Sequence, residues 1–280
     1  MKPGIYEMED EAYFADPAVS NSDLKLLRRS PAHFKYLKDN PKETTPAMAA
    51  GKSLHCAILE PERFMERHAI IPDNAPKKPT TAQRNSANPT EAAQQRIQYW
   101  DQWDMMNQGK LLITPEKAAE YLEIGGIVRN HPELSVFFDS GKAEHAVFGE
   151  DPETGILCKC KPDYLTRFDD FKVCLEIKSC EDSRPKPFQR TAYNFEYFTA
   201  AAFYQDVMEW SIGRPDLYLI VAFERDPPYG IKIYEVSEES IERGRDWYDQ
   251  SLSLYKQCLE DDNWPCYPLD IEVLDLPPWA

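Results

Sequence analysis

The feature that most constrains this chain is a change of period near residue 143. Before it, apolar residues recur at helical spacing. After it come three short strand-like runs, 143–149, 156–165 and 173–179. Turn chemistry separates them: Asp151-Pro152-Glu153-Thr154-Gly155, then Asp169-Asp170. The runs read as a three-strand meander. A helical stretch (190–212), a strand (217–223), the turn Asp226-Pro227-Pro228-Tyr229-Gly230, a strand (231–236) and a helix (238–259) follow. Ser237 caps the last helix, with Glu238 and Glu239 in its first turn. This order predicts an α/β (α+β) fold with a central mixed sheet of about five strands flanked by helices.

The N-terminal half is helical. The segment 20–40 predicts a helix capped by Ser20 or Ser22 and interrupted at Pro31. Thr45-Pro46 opens a second, which Glu60-Pro61 closes. Two more cover 91–107 and 115–130, and between these pairs the Pro- and Asn-rich stretch 72–90 reads as a flexible loop. Neither side of that loop completes a core alone. The expectation is therefore one domain over 1–280 with an insertion.

No apolar run approaches the roughly 18 residues of a membrane span, and the first residues lack a signal peptide's charged and apolar regions, so the expected location is the cytoplasm of a bacterial or phage-infected cell. Seven scattered cysteines without a CxxC pair read as reduced, buried thiols. Cys258 and Cys266 are the best remaining pair for a cluster, and a weak one. The net charge of −16 argues against a nucleic-acid partner. The acids, however, concentrate at 7–16, 235–262 and 270–275, whereas 159–190 carries Lys159, Lys161, Arg167, Lys172, Lys178, Arg184, Lys186 and Arg190.

The chemistry-bearing pattern is Pro162-Asp163, twelve residues, then Glu176-Ile177-Lys178. Strand parity puts Lys159, Lys161 and Asp163 on one face, and Glu176 and Lys178 on one face of the next strand. Asp163 and Glu176 then converge, and two adjacent carboxylates repel. A hard divalent cation, Mg²⁺ or Mn²⁺, resolves that conflict. Lys178 beside it can orient or help deprotonate a water and stabilise charge growing on phosphorus. The plainer reading is a Lys–Glu pair on an exposed strand. His55, mid-helix among small residues, reads as a core histidine or a nitrogen ligand. Tyr204 reads as core or as a phosphate contact, and Glu144 as a surface acid or a residue of the same site.

Longer blocks carry a resemblance: SNSDLKLLRRSPAHF, GKSLHCAILEPERF, EDPETGILCKCKPDYL, LEIKSC, AAFYQDV and NWPCYPLDIEVLDLPPWA, in order from about residue 20 to the last. In these the chain resembles the nuclease domain of exonuclease VIII, the RecE-type, RecB-like branch of the PD-(D/E)xK superfamily. The resemblance implies that His55, Asp163, Glu176 and the carbonyl of Ile177 hold the metal, that Lys178 is the catalytic lysine, and that Tyr204 is the tyrosine of a QxxxY motif. The glutamine position of that motif is Ala200 here. Lys52, Lys159, Lys161, Arg184, Lys186 and Arg190 are the candidate DNA contacts. The implied activity is Mg²⁺-dependent 5′-to-3′ digestion of double-stranded DNA ends, leaving 3′ single strands for an annealing recombinase, within a ring-shaped homo-oligomer. Two alternatives stay open: a RecB-like nuclease on single-stranded or flap DNA, and a DNA-end binder with weakened nuclease activity.

Overall fold

The computed structural model describes residues 1–40 and 45–276; residues 277–280, the end of the last block carrying the resemblance, lie outside the described residues. The chain runs β1 (Gly4–Tyr6), α1 (Asp10–Ala15), α2 (Asn21–Arg29), α3 (Pro31–Asp39), α4 (Pro46–Leu59), α5 (Phe64–Arg67), β2 (His68–Ile70), α6 (Thr81–Arg84), α7 (Glu91–Met106), β3 (Leu111–Ile113) and α8 (Pro115–Arg129). Then come β4 (Gly141–Ala143), β5 (Ala146–Glu150), β6 (Leu157–Cys160), β7 (Tyr164–Phe168), β8 (Phe171–Cys180), α9 (Pro185–Phe195), α10 (Tyr197–Glu209), β9 (Leu217–Glu224), β10 (Ile231–Glu235) and α11 (Glu238–Asp261).

The helix starts follow local chemistry. Ser20 and Asp23 form a capping box on α2. Thr45 and Thr114 cap α4 and α8, each with proline in the first turn. The segment 20–40 is two helices, because Ser30 is extended (ψ 152°) and caps the second. The stretch 190–212 also splits, at Glu196, whose φ of 59° is left-handed. Within 72–90, Thr80 and Gln83 build a capping box around one helical turn, α6.

The central sheet has five strands in the order β10-β9-β8-β7-β4. Only β8 and β9 are parallel, joined through α9 and α10, and the other pairs are antiparallel. The predicted meander is divided. Strands β5 and β6 leave the central sheet and pair with β1 in a separate three-stranded sheet. The run 156–165 is thus two strands with Lys161-Pro162-Asp163 between them. Pro162 has no N–H to give a ladder, so pairing stops there. Lys159 and Asp163 consequently do not share a strand face.

One face of the sheet packs Cys174, Ile220 and Ala222 against Phe203 and Val207 of α10 and Tyr248 of α11. The other packs Val173, Leu175, Ile177 and Val221 against Leu54 and Ile58 of α4 and Ile124 and Val128 of α8. Buried Asp206 ties α10 to α11 by accepting from Arg245 Nε (2.7 Å) and Tyr248 Oη (2.5 Å). Six of the seven cysteines are buried, and all seven are free. No described helix is long and apolar enough to cross a membrane.

Helix α4 sits so close to α8 that a Cβ on Gly125 would lie 2.4 Å from the carbonyl oxygen of Ala57, whereas one on Gly126 meets nothing within 4 Å. Two residues turn a helix by about 200°, so Ala57 faces α8 while His55 faces away from it. Gly125→Ala is expected to cost about 1–3 kcal/mol and to displace His55. Gly126→Ala should cost nothing, or stabilise by up to about 1 kcal/mol. Urea unfolding of the two variants checks this, and equal effects would contradict the packing argument.

Candidate active site

The break at Pro162 delivers Asp163 to the site. Strand β7 begins one residue later, with Tyr164 opposite Leu175, so Asp163 falls opposite Glu176 on β8. The Asp163 N–H donates to Glu176 Oε1 at 3.3 Å. Asp163 Oδ2 accepts from the Ile177 N–H at 2.6 Å and from Lys178 Nζ at 3.4 Å. Lys178 Nζ also donates to Glu176 Oε2 at 2.7 Å. Both carboxylates are buried, at 7% and 4% exposure. The convergence predicted for Asp163 and Glu176 is present, carried by the residue just ahead of β7 and the interior of β8 and not by two continuous strands.

Helix α4 brings His55 to the free side of Asp163. Its Nδ1 lies 3.5 Å from Asp163 Oδ1 and 3.5 Å from Glu144 Oε1. Glu144 holds φ 52° between β4 and β5, and its N–H donates to the Asp163 carbonyl at 3.1 Å. That backbone turn sends the Glu144 side chain toward His55. Ligand atoms of His55, Glu144 and Asp163 all lie within 4.8 Å of one another. Glu176, turned toward Lys178, is outside that trio. The sequence placed Glu144 on the first strand, as a surface acid or a residue of the same site; it lies instead in the left-handed turn between β4 and β5.

These three residues line a cleft of about 1100 Å³, together with Lys52, Lys161 and Tyr204. Glu176 and Lys178 do not line it and reach it through Asp163. Lys161 Nζ pairs with Asp10 (2.6 Å) and Glu144 (3.4 Å), and Lys52 pairs with Asp10 (2.7 Å). The acidic N-terminal segment therefore enters the cleft instead of standing apart. Of the other expected DNA contacts, Lys159 is 1% exposed and donates to the carbonyls of Tyr13 (2.5 Å) and Asp16 (2.8 Å). It is a structural cation that pins α1, and the expectation that it touches DNA is corrected. Arg184 is exposed and clamped by Asp182. Lys186 and Arg190 lie on the outer face of α9.

The charges are unequally settled. Burial would raise the Asp163 carboxyl, but Lys178, His55 and the Ile177 N–H outweigh it and hold it below the ordinary value. Burial and the Asp163 charge push Glu176 up to about 7. Burial opposes the charge on Lys178, yet Asp163 and Glu176 prevail and raise it, so Lys178 is a firm ammonium and not a proton acceptor. Burial likewise opposes His55, and Asp163 with Glu144 raises it above its ordinary value. Burial and the Glu176 charge lift the Tyr204 phenol well above its usual range.

The residues fit a hard divalent cation. One nitrogen and two carboxylates converge from three elements, and bond lengths of about 2.0–2.1 Å place opposite ligands about 4 Å apart. Glu176 remains frustrated by its neighbour's charge, which added positive charge would relieve.

Three comparisons bear on this geometry. The family described as a PDDEXK-like domain of unknown function (DUF3799) matches residues 20–277. A search of curated proteins gives no match. A crystal structure from Eubacterium rectale, described as that of a candidate exonuclease, is 12% identical with TM-score 0.60, covering 97% of this chain and 96% of that one. At that identity it shows the fold. A structure of SSO0001, with 14% identity over 57% of this chain and 70% of that one, has TM-score 0.29 and carries no weight.

Glu176 also gives a pH test. A carboxyl raised on folding contributes its stability fully below the unfolded value of 4.5 and loses it as pH rises through about 7. Metal-free Glu176→Gln should therefore gain stability relative to wild type between pH 5 and pH 8. Parallel denaturation curves in chelator, with a constant difference across that range, would contradict this. With its convergent carboxylates, its lysine and a match that spans nearly the whole chain, the protein belongs to the PDDEXK-like family DUF3799 and has the fold of the PD-(D/E)xK nucleases.

Proposed function

We propose that the chain is a Mg²⁺-dependent deoxyribonuclease, with Mn²⁺ as a substitute, that digests double-stranded DNA ends exonucleolytically from 5′ to 3′. One observation carries the reading: Asp163, which lines the open cleft with His55 and Glu144, is bonded behind it to Lys178, which also holds Glu176. The fold-level likeness to a protein described as a candidate exonuclease supports the exonuclease part. The RecE-type blocks support the polarity.

His55, Glu144 and Asp163 would hold the metal, and Glu176 joins them by turning its side chain away from Lys178. The Ile177 carbonyl would be a further ligand, because a strand residue directs its N–H and C=O to the same neighbour and the Ile177 N–H already reaches Asp163. When bound, the metal polarises the phosphoryl oxygen and acidifies water. Lys178, held as an ammonium 3.4 Å from Asp163 Oδ2, stabilises charge growing on the phosphorane. Ile177 N–H and Lys178 occupy one oxygen of Asp163 and so fix the other toward the cleft. Tyr204 lines the wall where its hydroxyl meets a phosphate. Lys52 and Lys161 exchange Asp10 for phosphate oxygens as the backbone enters.

In this reading the chain acts as one domain with its insertion at 72–90, as a ring-shaped homo-oligomer. The ring's lumen carries the basic residues, and a strand-annealing recombinase takes the 3′ single strand. Ala200, one turn before Tyr204 on α10, leaves the cleft without the amide of the related motif.

Linear duplex labelled at either end tests the reading. Wild type should release label from the 5′ end with Mg²⁺ and not in chelator, and Lys178→Ala should be slower by about 10²–10³-fold. Equal rates in the two proteins would refute the mechanism, and release from 3′ ends first would refute the polarity. Separately, Asp163→Asn should lose metal affinity while still binding DNA. Calorimetry showing unchanged Mg²⁺ binding would remove Asp163 from the metal site.

A further inference from the structure

Helix α9 presents a stripe that the cleft does not use. Lys186, Gln189, Arg190, Tyr193 and Asn194 fall at i, i+3, i+4, i+7 and i+8, and together line a shallow depression of about 440 Å³. The helix contains no acid (PKPFQRTAYNF) in a chain of net charge −16. Arg184 beside it is neutralised by Asp182, whereas among the described residues neither Lys186 nor Arg190 has a carboxylate partner.

The same helix exposes two large rings, Tyr193 on the stripe and Phe195 about 200° around the helix from it, at its last turn. Tyr193 is 64% and Phe195 61% accessible. Each is held flat from one side only. Tyr193 stacks on Phe198 (6.4 Å, 15°) and Phe195 on Tyr197 (5.8 Å, 17°), so each keeps its other face open. Rings fixed in this way lose little freedom when a further ring lands on them.

The Phe195 end of the helix connects with the proposed active centre through Tyr197. The Tyr197 ring lies 5.8 Å from Lys178 Nζ. On the neighbouring α2, Asn21 and Ser22 line the cleft, and Lys25, one turn on, donates to the Phe195 carbonyl at 3.4 Å.

We propose that single-stranded DNA leaving the cleft rounds the C-terminal end of α9 at Phe195 and then follows the outer face of the helix, with Phe195 and Tyr193 stacking successive bases, Lys186 and Arg190 contacting phosphates, and Gln189 and Asn194 bonding base edges. The assignment of DNA as ligand rests on the nuclease reading of the cleft. Fixed aromatics next to cations are what unpaired bases require. A duplex keeps its base faces stacked inside, so it can use the cations but not the rings. The track thus selects the unpaired strand.

Fluorescence anisotropy of the full chain in chelator, with labelled oligo(dT) of about 20 nucleotides and with a blunt duplex of equal length, tests this. Tyr193→Ala should weaken oligo(dT) binding about tenfold and duplex binding by less than about twofold, while Tyr193→Phe keeps wild-type affinity for both. Lys186→Glu with Arg190→Glu should weaken oligo(dT) binding and flatten its salt dependence. Unchanged oligo(dT) affinity in Tyr193→Ala, or equal losses on single strand and duplex, would overturn the track. The binding assay needs no cleavage, so a failed nuclease reading would appear separately, as an undiminished rate in Lys178→Ala.

Discussion

Two carboxylates buried side by side, one just ahead of β7 and one within β8, set the terms for the rest of this molecule. Asp163 and Glu176 cannot both remain ionised there without a compensating charge. The chain supplies one, Lys178, and it is not enough, since Glu176 is still pushed up to about 7. The unresolved part of that charge imbalance is what the proposed cation would relieve. The surrounding architecture serves it. Pro162 ends one strand and frees Asp163 from the ladder. The left-handed backbone at Glu144 brings in a third acid, and the tight contact of α4 on α8 sets the depth of His55.

Much of this was legible in the sequence. The change to strand period, the capped helices and the parity of Glu176 and Lys178 led to a five-stranded mixed sheet with helices on both faces. The illegible parts share a cause: they depend on which strands pair across long separations. Periodicity could not show that β5 and β6 join β1 and leave the central sheet. It therefore placed Lys159 on the same face as Asp163, when burial and the Tyr13 and Asp16 carbonyls had claimed it. Nor could it show Glu196 and Ser30 splitting helical runs, since each depends on a single residue's backbone angle.

The net charge illustrates the same limit. Read along the chain, acids at the N-terminus seemed remote from the basic stretch. Folded, Asp10 bridges Lys52 and Lys161 at the mouth of the cleft, with its own carboxyl held at about 2 because the two lysines outweigh the effect of burial. The basic groups are thus of two kinds. Some are tied to carboxylates that a phosphate must displace. Others, on α9, face solvent without a partner among the described residues. An acidic protein can engage DNA when its cations are concentrated in this way along one path.

The most direct test of the central claim is the position of the metal. Crystals grown with Mn²⁺ and measured at its absorption edge should show one anomalous peak bounded by His55, Glu144 and Asp163, with the Glu176 carboxylate rotated toward it and away from Lys178. A peak elsewhere, or none at these residues with Glu176 still bonded to Lys178, would contradict the account.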